Sequence, residues 1–457
     1  MKIFTEALLA SFIAAAVSGC TALHSSYERP ELTEYAFTHG GQPAGAEKGE
    51  INPDFWLAFN DPYLTALTEE ALAARNDYRQ AVLTARKALK EAEITDTNMI
   101  PTVDASLGSG ASRPLRHGSH SSLYGKSGIS VSYEADLFGR LSAERKAQAL
   151  SAEAALQDAR AARLSIAGTV AKLYWSLLYY QDAVKLYQEN LKSSMERQKL
   201  MQLRYDSGKI SELDLSESRV EVISVQSQLQ DNETKLRNTI SAINVLRNRV
   251  PDTPVENRGT LEDVFLPEIN PGLSGDVLRF RPDMAAQEAR LRAALASKDK
   301  ARLDMYPRLS LGLGVSAGGS TNIVDFFRNP AGSIAGMLAF PFLNYYQNSL
   351  RVDLAELSRD SAEVSFVYKY YNALSEVQQA LNNAAWFRQQ QEYEKMQLDL
   401  RRKNEEMYQT RYANGKVSFK DLLEARVARR NTELALLSNK ESMLNSLKDL
   451  AMTMGGF

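Results

Sequence analysis

Two patterns, Ser211-x-x-Asp214 and Ser418-x-x-Asp421, set a hydroxyl and a carboxylate three residues apart, and Glu424 follows one helical turn after the second. A serine and an acid at this spacing satisfy the free amides that begin a helix and place negative charge at the positive end of its dipole. His117-Gly118-Ser119-His120 offers two imidazoles, but a His-x-x-His pair in a Ser/Gly loop reads as solvated surface, and no metal site is expected. There is no Gly-rich phosphate loop, nucleophile elbow or catalytic carboxylate pair, so no enzyme and no cofactor is expected.

The acidic patterns sit inside a duplication. Arg204-Tyr205-Asp206-Ser207-Gly208-Lys209-Ile210-Ser211-Glu212-Leu213-Asp214-Leu215 recurs about 207 residues later as Arg411-Tyr412-Ala413-Asn414-Gly415-Lys416-Val417-Ser418-Phe419-Lys420-Asp421-Leu422, with seven of twelve positions identical. Met99-Ile100-Pro101 and Met305-Tyr306-Pro307 keep nearly the same offset. Two landmarks at one spacing mean one structural unit used twice.

The 457 residues carry a formal charge of only −2, which points to no nucleic-acid partner. Lys2, the apolar run Ala7 to Val17 and Val17-Ser18-Gly19-Cys20 form a targeting segment too short to span a bilayer. Small residues before the sole cysteine resemble a bacterial lipobox, which would make Cys20 a lipidated N-terminus. An ordinary signal peptide leaving Cys20 free is the alternative. Thr21 after it favours, by resemblance to sorted lipoproteins, the outer membrane. One cysteine excludes an intramolecular disulfide. No later window is apolar enough for a transmembrane helix, so any crossing must use β-strands.

Residues 21–60 are rich in Pro and Gly and are expected to lie along the outside of the body. Asp61-Pro62 reads as an N-cap and first helical position. After Pro101 the period switches to two: Val103, Ala105 and Leu107, then Ile129, Val131, Tyr133, Ala135 and Leu137, alternate with polar or small residues. Leu309 to Ala317 and Ile334 to Phe342 repeat the hairpin. Four strands cannot close a membrane barrel, because the smallest have about eight. The chain must pool strands with copies of itself, two giving eight and three giving twelve, unless the sheet packs on helices in a soluble protein. The stretches 139–205 and 345–412 contain no proline and only one internal glycine, Gly168. Each would extend roughly 100 Å as helix. A 3-4 seam of Leu173, Leu177, Tyr180, Val184, Tyr187 and Leu191 indicates coiled-coil packing and decays at Ser194 and Gln198.

Together, Val17–Cys20, Trp56 with Asn60-Asp61-Pro62, Asp136-Leu137-Phe138-Gly139-Arg140, Arg281-Pro282-Asp283 and both Tyr-x-x-Gly turns resemble the TolC-like outer-membrane efflux factors, in their lipoprotein (OprM/NodT/CusC-like) branch. The resemblance covers residues 17–455. It implies a mainly α fold with a membrane β-barrel, in which a homotrimer builds a twelve-stranded barrel continuous with a periplasmic α-helical barrel. It implies a passive duct for small molecules or metal ions, held in outer-membrane lipid and docked on a periplasmic adaptor and, through it, an inner-membrane pump. The competing function is a coiled-coil adaptor or scaffold lipoprotein without a channel.

By position, the resemblance assigns Asp421, Glu424, Asp214 and Tyr412 to the pore constriction and Gly208, Lys209, Gly415 and Lys416 to the periplasmic turns that meet partners. Capping remains the competing role for Asp214 and Asp421. Two departures stand out: Val417 occupies the place of a family arginine, and Phe342-Leu343-Asn344-Tyr345-Tyr346 lacks the glycine usual where the fourth strand ends. The twelve methionines form no ladder that would single out a copper or silver cargo. The expected boundaries are a signal peptide at 1–19, a lipidated extended segment at 20–60, a first repeat at 61–249 (β-hairpin 102–137, helical hairpin 139–249), a linker at 250–275, a second repeat at 276–453 (β-hairpin 308–342, helical hairpin 345–452) and a tail at 454–457.

Overall fold

The computed structural model describes residues 24–33, 35, 37–39, 42–43, 54–113, 122–267, 275–318 and 330–455. Cys20, the apolar run before it, His117 and His120 lie outside the described residues. Seven helices are described: α1 (Pro62–Ala74), α2 (Asn76–Asp96), α3 (Arg140–Asp206), α4 (Glu212–Leu246), α5 (Pro282–Leu303), α6 (Tyr345–Ala413) and α7 (Phe419–Met454). Four long strands join them: β1 (Thr102–Ser112), β2 (Ser122–Ala135), β3 (Arg308–Gly318) and β4 (Ala331–Ala339). The order is strands, long helix and returning helix, twice. The chain forms two compact units, one of residues up to Leu32, Val82–Asp158 and Ala285–Lys369, the other of Thr33–Ala81, Ala159–Met284 and Tyr370–Phe457.

In the first unit the strands form one antiparallel sheet in the order β1-β2-β3-β4, so β1 and β4 are free edges. The register aligns the apolar set across all four strands: Val103 faces Val131, Val131 faces Leu313, and Leu313 faces Ile334. Thr102 faces Ser132 and Ser132 faces Gly312, which puts the small and polar residues on the other side. One face is therefore apolar, and nothing among the described residues covers it. Val103 is 68 % exposed, Leu107 72 % and Ile334 87 %. A water-soluble sheet packed on helices would bury this face.

The two joints from strand to long helix differ, and the sequences give the reason. After β2, Gly139 takes a left-handed conformation (φ +79°), and Asp136 accepts from the amides of Leu141 and Ser142 (2.9 and 2.8 Å) to cap α3. After β4 there is no glycine, and Pro341–Asn344 forms a 3-10 turn instead, with Asn348 Nδ2 donating to the Pro341 carbonyl (2.8 Å). Phe340 and Phe342 thus lie beyond the strand, their rings 5.7 Å apart.

The second unit holds the main core. Phe55, Trp56 and Phe59 pack with Leu64 and Leu67 of α1, Tyr174, Trp175 and Leu178 of α3, Ile243 of α4 and Leu444 of α7. This corrects the expectation that residues 20–60 simply run outside: Phe55–Phe59 is a 3-10 helix whose aromatic rings are at most 2 % exposed. The linker contributes too, through buried Leu261 and Val264. Around this core α3 is buried on several faces, so Tyr174, Trp175 and Leu178 flank the Leu177 seam. The helix that starts at Pro62 ends at Ala74 and a second begins at Asn76, because Asn76 and Asp77 favour a new helix start over continuation. Gly168 is accounted for by Met452, whose sulfur lies where a side chain at 168 would begin.

Asp61 ties the first helix to the core. Its Oδ1 accepts from the amides of Tyr63 and Leu64 (2.9 and 3.2 Å), and its Oδ2 accepts from the Tyr174 hydroxyl (3.0 Å). Burial, and then the charge of Asp61, raise the Tyr174 hydroxyl well above its ordinary range, so it stays a donor. Asp61→Ala removes the cap and a buried hydrogen bond together and is expected to lower stability by about 2–3 kcal/mol. Asp61→Asn, which keeps one acceptor, should lose less than half of that. Denaturant unfolding in detergent checks both; equal losses would mean that the acceptor the asparagine keeps contributes nothing.

Candidate functional site

The repeated dodecapeptide is a complete helix-end and helix-start device. At the end of α3 the Gly208 amide donates to the Tyr205 carbonyl and the Lys209 amide to the Arg204 carbonyl, both at 2.8 Å. At the end of α6 the Gly415 amide donates to Tyr412 (3.0 Å) and the Lys416 amide to Arg411 (2.9 Å). This reciprocal pair needs a left-handed residue, and glycine supplies it at φ +70° and +66°. Ser211 and Ser418 then cap the returning helices. Each hydroxyl accepts from the amide three residues on (3.2 Å), while Asp214 or Asp421 accepts from the serine's own amide. Leu215 and Leu422, at the next position, are buried. Most identities of the repeat are therefore turn chemistry.

For Asp421 the geometry allows two roles. Its Oδ2 accepts from the Ser418 amide (2.8 Å) and hydroxyl (2.7 Å), while Oδ1 has no bond among the described residues. The Ser418 hydroxyl and then its amide hold the Asp421 carboxyl below its ordinary range. Glu424 lies exposed one turn along α7 and has no ion-pair partner among the described residues. Asp214 Oδ2 likewise serves Ser211, at 3.2 Å to the amide and 2.8 Å to the hydroxyl. Gly208, Lys209, Gly415 and Lys416 are all exposed.

The two turns are brought together in the second unit, and not symmetrically. Tyr412 is half-buried beside Met201, Leu215 and Phe419, with Ile210 against the same cluster. Arg204 Nη1 donates to the Tyr412 hydroxyl (3.3 Å), and its guanidinium lies over that ring, 5.6 Å from the centroid. The Tyr412 hydroxyl also reaches the Met201 sulfur (3.4 Å). Tyr205, the equivalent of Tyr412 in the first copy, is 38 % exposed. Arg204, Met201 and Phe419 were not singled out in the sequence, although Arg204 is one of the repeated identities.

Further from the turns the seam of α3 does not end at Leu191 but becomes polar. Ser194 is buried and donates to Glu221 of α4 (3.0 Å), which also accepts from Arg197 (2.9 Å). On α7, Arg426 and Arg429 reach Glu405 of α6 at 3.3 and 2.5 Å. Arg430 is 6 % exposed, and burial lowers its guanidinium from the usual arginine range. Polar residues at positions of a coiled-coil seam specify register at some loss of stability, which assigns Ser194 and Glu221 a positioning role. Among the described residues no group of three or more His, Cys, Asp or Glu could hold a metal ion.

The chain matches the model of the outer membrane efflux protein family twice over, at residues 67–247 and 273–456, one match per repeat. It is 28 % identical over 389 residues to the pyoverdine export outer membrane protein OpmQ of Pseudomonas putida, covering 82 % of each chain. It is 26 % identical over 452 residues to the cation efflux system protein CusC of Escherichia coli K12, covering 96 % of this chain and 95 % of that one. The crystal structure of the Campylobacter jejuni CmeC outer membrane channel superposes with a TM-score of 0.86 at 24 % identity, covering 95 % of this chain and 94 % of that one. Channels of this family are homotrimeric outer-membrane components of tripartite efflux systems. The chain belongs to the outer membrane efflux protein family, and it is an efflux channel of the Gram-negative outer membrane rather than an enzyme.

Proposed function

We propose that three copies of this chain close their sheets into one twelve-stranded barrel, continuous with a periplasmic barrel of the long helices. Small molecules or metal ions would leave passively through it. The observation that carries this reading is the uncovered apolar sheet face with a free edge on either side. Lipid covers such a face, and only other copies can pair such edges in lipid. A second surface supports it: Tyr346, Leu350, Leu354, Leu357, Val364 and Tyr368 form an exposed apolar stripe along α6 at coiled-coil spacing. A neighbouring copy's helix would bury it. A scaffold lipoprotein without a channel has no use for the sheet face.

The acyl chains on Cys20 would add an anchor beside the barrel. The exposed turns at Gly208-Lys209 and Gly415-Lys416 would meet a periplasmic adaptor and, through it, an inner-membrane pump. Three copies would bring Asp421 and Glu424, with Tyr412 and Asp214 nearby, into an acidic ring at the constriction. In this reading Asp421 both caps α7 through Oδ2 and faces the pore through Oδ1. The relatives named above export cations in one case and pyoverdine in another, so the proposal covers small organic molecules and metal ions alike.

Single-channel recording in planar bilayers tests the ring. The wild-type protein should give a small, cation-selective conductance, and Asp421→Ala/Glu424→Ala a larger or unselective one. Folded protein that forms no channel would contradict the duct, and channels unchanged by the double substitution would leave these acids as caps alone.

The pH dependence follows from the lowered Asp421 value. A carboxyl whose folded value is depressed contributes stability above the unfolded value, and the contribution is lost as pH falls through the folded one. In a Glu424→Gln background, selectivity should therefore persist as pH falls through about 3.9, the ordinary aspartate value, and disappear only below it. Ser418→Ala removes the hydroxyl bond that contributes most to the depression and should move that loss to higher pH. Identical pH profiles with and without Ser418 would exclude the link between cap and ring.

A further inference from the structure

In the first unit, residues 24–30 form a strap along α5. The Ser25 amide and hydroxyl donate to Asp299 (2.9 and 2.6 Å), the Tyr27 hydroxyl donates to Glu288 (3.2 Å), and Arg29 pairs with Glu288 (3.4 Å). The Arg29 guanidinium also covers the Phe366 ring of α6 at 5.7 Å. Although tied at these points, the strap leaves a cavity of about 540 Å³ between itself and the helices.

Charge distinguishes this cavity from an ordinary packing gap. Arg359 and Glu363 line it and satisfy each other (2.7 Å). Arg302, in the last turn of α5, and Glu28, on the strap, line it as well, and neither has an ion-pair partner among the described residues. His24 and Ser26 also line it, over a floor that includes Leu295. A free cation and a free anion in one polar cavity match a zwitterion better than a simple anion. With hydrogen-bond donors at hand, the matching group is a zwitterion that pairs a phosphate with an ammonium.

The position of the cavity names the source. Tyr306 lines it two residues before β3 begins, and the Tyr306 ring packs on Phe138, which leaves β2 (5.0 Å). Aromatic residues at the ends of membrane strands mark the interface with the lipid headgroups. Cys20, the expected lipidation site, precedes His24 by only four residues in the sequence. We infer that this cavity is a headgroup site for one phosphatidylethanolamine of the leaflet the strands enter, with Arg302, His24 and Ser26 on the phosphate and Glu28 on the ammonium. The inference rests on the membrane placement proposed above.

The test uses the full-length protein, purified from outer membranes in mild detergent, stripped of lipid and titrated with phosphatidylethanolamine, phosphatidylglycerol or inorganic phosphate under native mass spectrometry. One saturable phosphatidylethanolamine per chain is expected. Arg302→Gln should weaken it about tenfold, the loss of one charge-assisted hydrogen bond. Glu28→Gln should weaken phosphatidylethanolamine but not phosphatidylglycerol, and Lys87→Gln, outside the cavity, should change neither. Inorganic phosphate that competes equally with the lipid would reduce the cavity to a free-phosphate site and overturn the assignment, as would equal lipid binding by the Arg302 and Lys87 variants. Channel recordings on the same preparations separate the two readings. Channels of wild-type conductance without a saturable lipid overturn the headgroup site alone, and loss of both removes the membrane placement with it.

Discussion

Every backbone amide and carbonyl in hydrocarbon must find a partner, because each unpaired group costs several kcal/mol there. The four-stranded sheet meets this requirement everywhere except along the outer edges of β1 and β4, which have eleven and nine residues and no further strand beside them among the described residues. In the proposed barrel other copies pair those edges, and lipid covers the apolar face between them. The rest of the molecule is consistent with that demand: strands aligned so that Val103, Val131, Leu313 and Ile334 share a face, and a helix stripe on α6 left bare for a neighbour. Among the described residues no interaction within one copy satisfies either surface.

At the other end of the long helices the constraint is geometric. A chain that leaves one helix and returns along another needs a left-handed residue, a hydroxyl cap and an acid, and both repeats supply Gly, Ser and Asp at the same places. The two copies have diverged in what surrounds these residues. Tyr412 is drawn in against Met201, Phe419 and Arg204, whereas Tyr205 is left at the surface. One sequence device thus gives two turns with the same backbone hydrogen-bond pattern and different side-chain packing.

Much of this was legible because it rests on local chemistry. The period-two strands, the breaker-free helices, the Asp61-Pro62 start and the repeated turns follow from spacing and residue type. What escaped the sequence depends on tertiary contact. Phe55, Trp56 and Phe59 sit in a Pro/Gly-rich stretch whose composition suggests an outer strap, and only their burial against Trp175 and Leu178 reveals a core. Ser194 ended the apparent seam because periodicity reads apolar residues, yet it stays buried through its bond to Glu221. Arg204 was visible as a repeated identity, but its contact with Tyr412 joins residues 208 positions apart. The absence of a glycine after Phe342 is plain in the sequence, and the 3-10 turn at Pro341–Asn344 is its structural counterpart.

Cross-linking the two free edges tests the shared barrel most directly. With Cys20 the sole native cysteine, and acylated if lipidation occurs, one cysteine is placed in β1 and one in β4 of the same chain, and a small panel of registers is oxidised in native membranes. A barrel pooled from three copies gives a ladder that ends at three chains and is lost on reduction. A ladder ending at two chains would mean eight strands, and a bond formed only within single chains would contradict the shared barrel altogether.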